Sequence, residues 1–127
     1  MAIERLDHYT IRTSKLDATR RFYVDVVGLR EGPRPPFAFP GAWLYCGDIP
    51  VVHLIGAEAS ASGTGTIDHV AFRATDLRQL HDRLRDSALG FEERTVPMLD
   101  VHQVFIEDPN GLTIELNFDP AEVSAAA

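Results

Sequence analysis

The sequence predicts an α+β fold made of two tandem copies of one strand-helix-strand-strand-strand module. Three observations predict it. "RLDHYTIRTS" near the start returns sixty-one positions later as "TIDHVAFRAT", with His8 and His69 at the same point and each copy running into arginine and small polar residues. An echo of this kind marks an internal repeat. Each copy is then followed by a helical pattern closed by glycine, Gly28 or Gly90, and by three short extended runs. Finally, 127 residues hold both copies in one domain, 1–127, whereas a lone unit of about 60 residues would bury too little surface to be comfortable alone.

The first module covers 3–55. After its first strand comes "SKLDATRRFYVDVVGL", in which Ser14 caps a helix, with Asp17 three residues on as in a capping box. Phe22, Tyr23, Val26 and Val27 recur at helical spacing, and Gly28 ends the helix in a left-handed conformation. Lys15, Arg20 and Arg21 read as its solvated face. Extended runs follow at Arg30–Gly32, Ala42–Cys46 and Val51–Ile55. "GAEASASGTGT", 56–66, is small and polar and reads as a linker. The second module covers 67–119. Thr75 or Asp76 caps its helix, Leu77, Leu80 and Leu84 form the apolar stripe, and Gly90 ends it. Its strands read as Phe91–Val96, His102–Glu107 and Leu112–Phe118. "CGDIP" and "DPNG" are tight turns at equivalent places, and "VSAAA" reads as a frayed end.

Composition excludes several classes. The net charge of -7 argues against a nucleic-acid surface, which needs clustered Lys and Arg. No apolar run approaches the roughly 20 residues of a membrane span. "MAIERLD" lacks the basic start and apolar stretch of a secretory signal, and the single Cys46 allows no internal disulfide, so a cytoplasmic setting is expected. Cys46 itself reads as a small buried apolar residue. Tyr23 and Tyr45 read as core or interface residues.

The repeat carries a chemical signature. His53 in "PVVHLI" and Glu115 in "LTIELNF" end the two modules at the spacing that also separates Gly28 from Gly90. Each module therefore holds one ligand-type side chain at its first strand and one on its last: His8 and His53, then His69 and Glu115. A single strand histidine is ordinarily a hydrogen-bonded core residue. Four such side chains at matching places point instead to a metal site. Imidazole and carboxylate suit zinc, nickel, iron, cobalt or manganese. In "TIELNF", Ile114, Leu116 and Phe118 share one face, and Thr113, Glu115 and Asn117 the other. Glu115 thus faces whatever the sheet encloses, where a charge needs a partner. His8, His69 and Glu115 form a two-His-one-carboxylate set with open positions; His53 is a fourth ligand or a group facing the substrate. Asp7 and Asp68 fall on the opposite strand face and read as structural.

At "LDHYTI", "FYVDVVGL", "IDHVAF" and "DPNGLTIELNF" the chain resembles the vicinal oxygen chelate superfamily, also described as glyoxalase, bleomycin-resistance and extradiol-dioxygenase proteins, over roughly residues 4–119. The resemblance implies paired βαβββ modules, each an open cup of mixed sheet with helices on the outer face and the metal held in the cup. It implies that His8, His69 and Glu115 are ligands, with His53 where glyoxalase I carries a glutamate. It also implies a homodimer, each site often built from both chains.

The expected function is that of a divalent-metal enzyme chelating a small vicinal-oxygen substrate. Metal-assisted proton transfer, as in a glyoxalase-like isomerase or lyase, is the favoured chemistry, because an ion with open positions stabilises an enolate or alkoxide. Glu115 doubles as the base, or His102 serves. The rival is ring cleavage by an extradiol dioxygenase. Large extradiol enzymes carry a tyrosine on the strand before the last glutamate, where this chain has Phe105. Thiol transfer to fosfomycin uses the same ligand set. A metal-free binding protein, as in bleomycin resistance, generally lacks the ligands present here. The pocket rim is "REGPRPPFAFPGAW", where Phe37, Phe39 and Trp43 offer apolar surface and Arg34 can meet a carboxylate, with Phe105 completing the pocket.

Overall fold

The computed structural model describes residues 1, 4–58, 67 and 69–126. Asp68 and most of the expected linker lie outside the described residues. The chain divides into two compact units, Met1–Ala61 and Ser62–Ala127. Each is a four-stranded mixed sheet with helix, which is the expected α+β architecture in two tandem modules.

In the first unit β1 (Tyr9–Thr13) leads through α1 (Leu16–Arg21) and a π-helical continuation (Phe22–Val27) to β2 (Arg30–Gly32), β3 (Gly41–Cys46) and β4 (Ile49–Gly56). The sheet order is β1-β4-β3-β2, with β1 parallel to β4 and the other pairs antiparallel. Strand alternation separates two faces. Ala42, Leu44, Val52 and Leu54 are buried on one, together with Phe22, Tyr23 and Val26 of the helix. Each such large side chain contributes roughly 1.5–3 kcal/mol by leaving water. Tyr9 and Thr13 reach the helix from β1, through Tyr9 to the Tyr23 hydroxyl at 3.4 Å and Thr13 to Thr19 at 3.5 Å. Trp43 and His53 are on the opposite, half-buried face. Gly28 stops the helix at φ 91, and its N–H and that of Leu29 both bond the Tyr23 carbonyl. The strained sense of that turn is what glycine tolerates.

The second unit repeats the plan. β5 (His69–Arg73), α2 (Leu77–Asp86), β6 (Glu92–Val96), β7 (Val101–Glu107) and β8 (Thr113–Phe118) give the order β5-β8-β7-β6 with the same parallel and antiparallel pairs. Leu77, Leu80 and Leu84 of α2 are buried, as are Val104, Ile106, Ile114, Leu116 and Phe118 of the sheet. Asp76 caps α2 by accepting from Gln79 N–H at 3.1 Å. In the "DPNG" turn the buried Asp108 carboxylate accepts from Asn110 and Leu112 N–H at 2.8 and 2.9 Å. Among the described residues no helix is long and apolar enough to cross a membrane.

Four local expectations are corrected. The N-cap of α1 is Lys15, not Ser14; Thr13 Oγ1 accepts the Lys15 N–H at 2.9 Å, so the preceding strand end secures the helix start. Gly90 does not end α2. The helix stops at Asp86, with Ala88 left-handed at φ 53 and a Schellman pair of bonds, Leu89 N–H to Leu84 and Ala88 N–H to Arg85, closing it two residues early. Cys46 is exposed, not buried, because a bulge between Leu44 and Tyr45 breaks the alternation before the turn. The tail forms a short helix, α3 (Glu122–Ala126), and Glu122 Oε1 accepts the otherwise unpaired N–H of Leu77 at the start of α2, 3.0 Å away.

Candidate metal centre

His8 stands just before β1, on the side of Thr10 and Arg12. Its Nδ1 donates to Asp7 Oδ2 at 2.7 Å. A carboxylate only accepts, so the proton is on Nδ1 and the lone pair on Nε2. That bond holds the Asp7 carboxyl below its usual range. His53 lies in β4 between Thr10 of β1 and Trp43 of β3 in the register. Its Nε2 donates to the Pro50 carbonyl at 3.0 Å, which places its lone pair on Nδ1. The imidazole is sandwiched between His8 at 3.8 Å and Trp43 at 4.1 Å, both nearly parallel to it. Burial, then the neighbouring His8 charge, lowers the His53 pKa.

In the second unit His69 opens β5 and Glu115 lies on β8. His69 Nε2 is 3.7 Å from Glu115 Oε1. Asn117 Nδ2 donates to the other oxygen, Oε2, at 2.8 Å. The side-chain oxygen of Asn117, Oδ1, is buried and has no hydrogen-bond partner among the described residues, a state that costs about 1–3 kcal/mol for such a group. Phe105 is directly across from Glu115, as Trp43 is from His53. The two modules therefore place an aromatic ring at the same register position beside each last-strand candidate. Arg94 lies over Phe105 at 5.1 Å and donates to Gln103 at 3.2 Å.

Each unit thus brings its own two candidates together. Among the described residues no group of three or more His, Cys, Asp or Glu is gathered to hold a metal ion. The donor types of the pairs suit a divalent cation: Asp7 and Pro50 leave one imidazole lone pair on each of His8 and His53, and the Glu115 carboxylate is held at one oxygen; the stacked imidazole planes must turn for both lone pairs to meet one ion.

The expected rim residues form a connected aromatic series. Phe37 stacks on Phe39 at 4.9 Å and lies 6.5 Å from Trp43, which continues to His53 and His8. The Arg34 guanidinium lies 5.3 Å from both phenyl rings and donates to the Phe39 carbonyl at 2.9 Å. Gly41 is needed beside it, since a Cβ there would run into the Leu54 carbonyl.

His102 is placed elsewhere. Its register partner is Phe118, so it shares the buried face of Val104, Ile106 and Leu116, while Glu115 and Phe105 occupy the other. Its Nδ1 meets Thr95 at 2.8 Å and its Nε2 donates to Glu93 at 2.9 Å. The sheet does not bring it together with Glu115.

Two partners were missed in the sequence. Alternation puts Asp7 on the opposite strand face, but both residues precede β1 and the Asp7 carboxylate turns to meet His8 Nδ1. Asn117 was legible, being two residues beyond Glu115 on the same face.

Residues 5–116 match the model of the Glyoxalase/Bleomycin resistance protein/Dioxygenase superfamily, and the chain belongs to that family, which includes lyases and dioxygenases and binds small molecules. A relative named "Probable lactoylglutathione lyase", from Synechocystis sp., is 31% identical over 120 residues, covering 86% of this chain and 91% of the relative. Two solved structures share the fold. The glyoxylase/bleomycin resistance protein/dioxygenase domain from Frankia sp. superposes with TM-score 0.77 at 17% identity, over 93% of each chain. A genomically encoded fosfomycin resistance protein from Listeria monocytogenes superposes with TM-score 0.69 at 17% identity, over 95% of this chain and 98% of that one.

Proposed function

We propose that the protein is a divalent-metal-dependent lyase or isomerase that moves a proton between neighbouring carbons of a small vicinal-oxygen substrate, a reading supported by the relative named "Probable lactoylglutathione lyase". His8, His53, His69 and Glu115 would hold the ion, and a homodimer would pair the ligands of one chain with those of another. The observation that carries the reading is the paired placement, His8 with His53 and His69 with Glu115, each beside an aromatic ring at the same register.

A bound ion supplies charge stabilisation for the two adjacent substrate oxygens. The chain's own groups do the rest. Glu115 takes the proton from the carbon bearing the hydroxyl and returns it to the neighbouring carbonyl carbon, while the hydroxyl proton passes to the former carbonyl oxygen, so that no proton is gained or lost and the carboxylate ends as it began. Phe37, Phe39 and Trp43 of the first unit and Phe105 of the second would each offer apolar surface to the substrate and exclude water, and Arg34 would meet a substrate anion. His102, on the far face of β7, holds Glu93 and Thr95 instead of serving as the base. Phe105 opposite Glu115 brings no hydroxyl to that place, which supports proton transfer over catechol cleavage. A cytoplasmic setting accords with the single cysteine.

The test is metal analysis of protein prepared without added metal, followed by thioester formation from methylglyoxal and glutathione with nickel, zinc or cobalt in the absence of air. Oxygen-independent turnover is the expected result. Bound iron with activity on catechols only in air overturns it, as does failure to bind metal under any loading.

A further inference from the structure

We infer that Asn117 is the positioning residue of Glu115: its amide takes one carboxylate oxygen so that the other alone is offered to the site. The inference rests on the metal reading above for its purpose, and on three observations of its own. Asn117 Nδ2 donates to Glu115 Oε2 at 2.8 Å, while Oε1 is the oxygen that lies 3.7 Å from His69 Nε2. The two residues are neighbours on one face of β8, which is paired on both sides, by β5 and β7. And the Asn117 Oδ1 is buried without a hydrogen-bond partner among the described residues.

The last observation separates positioning from packing. A side-chain amide has a donating and an accepting end. Turning it over would set Oδ1 against the Glu115 carboxylate, lone pair against lone pair. Its orientation is therefore dictated by Glu115, at the expense of its own oxygen. A residue that only filled space there would be as well replaced by leucine, which is nearly the same size and has no polar atom to leave unpaired. An amide whose one side-chain partner among the described residues is the carboxylate has its role assigned to that carboxylate. Held at Oε2, Glu115 keeps one orientation, the requirement for a ligand and for a base that must return the proton it takes.

Two measurements on the full chain test this. In metal-free protein, the side-chain amide resonance of Asn117 should move when Glu115→Gln is introduced; an unmoved resonance overturns the hydrogen bond. In nickel calorimetry, Asn117→Leu should bind about 10–100-fold more weakly than the parent, and Asn117→Gln, which keeps a donor, should recover part of the loss. Binding by Asn117→Leu equal to the parent overturns the positioning role. Should the parent itself bind no nickel, zinc, cobalt or iron, the metal reading fails, and the amide resonance alone decides whether Asn117 holds the carboxylate.

Discussion

The imidazole of His53 lies flat against the indole of Trp43, with ring centroids 4.1 Å apart and planes 11° from parallel. The two residues are direct cross-strand neighbours in β3 and β4, and His8 covers the other face of the imidazole at 3.8 Å. Burial is the main reason the His53 pKa is lowered from 6.5, and the neighbouring His8 adds to it. Between the lowered value and 6.5 the unfolded chain binds more protons than the folded one. The His53 contribution to stability is thus present above pH 6.5 and is lost as pH falls through the folded-state value.

Trp43 is the chain's single tryptophan, so its emission reports the surroundings of this pair. With chelator present, fluorescence should fall on acidification with a midpoint below 6.5, the ordinary histidine value, as the imidazole becomes a cation against the indole. His53→Ala should remove the step. A midpoint at or above that value would contradict the half-buried, stacked environment.

Asp7 should matter to metal affinity through His8. Its carboxylate accepts from His8 Nδ1 at 2.7 Å and so sets which nitrogen carries the lone pair. Asp7→Ala is expected to weaken nickel or zinc binding about 10–100-fold by calorimetry, with little effect on the melting temperature because Asp7 is exposed. Unchanged affinity would mean that His8 is not a ligand, or needs no orienting partner.

Periodicity and repetition made most of this fold legible. The alternation in "TIELNF" puts Glu115 on the face opposite Ile114, Leu116 and Phe118, as found, because β8 is paired in regular register on both sides. Strand positions in both modules fell within a residue or two. What escaped was set by tertiary contacts. Gly90 looked like a helix stop, but the last leucine of the stripe is Leu84, and α2 closes around Ala88 once that side chain is buried. The tail looked frayed, but Glu122 supplies an acceptor that α2 lacks at its start. His102 looked like a base; a shift of one residue on a strand exchanges faces, and the register with Phe118 sends its ring to the core side. The pairing of His8 with His53 and of His69 with Glu115 was readable from repeat positions alone.

Those pairs give a complementation test of the proposed homodimer. Take one chain with His8→Ala and another with Glu115→Ala, each inactive alone. If a site joins the first-unit pair of one chain to the second-unit pair of its partner, a mixed dimer has one site with both lesions and one intact site. Random exchange should then restore about a quarter of parental activity, since half the dimers are mixed and half their sites are whole. No restoration after verified subunit exchange would place all four ligands within one chain.

Glu93 should prove a stability residue through the helix it ties to the sheet. Its Oε2 accepts from His81 of α2 at 3.0 Å and from His102 of β7 at 2.9 Å. Burial raises the Glu93 carboxyl, but the bonds from His102 and His81 outweigh it, and the net shift is below the usual 4.5. A carboxyl so lowered stabilises the fold above its unfolded-state value, and that contribution is lost as pH falls through the folded-state one. Glu93→Ala leaves the N–H of the buried His102 without its acceptor and should cost roughly 1–3 kcal/mol near neutral pH in urea unfolding. Glu93→Gln, whose amide oxygen still accepts, should cost less. The gap between parent and Glu93→Ala should narrow below pH 4.5, where the parent carboxylate is itself being protonated. A gap of the same size at neutral and acid pH would show that Glu93 acts by packing and not as the shared acceptor of two imidazoles.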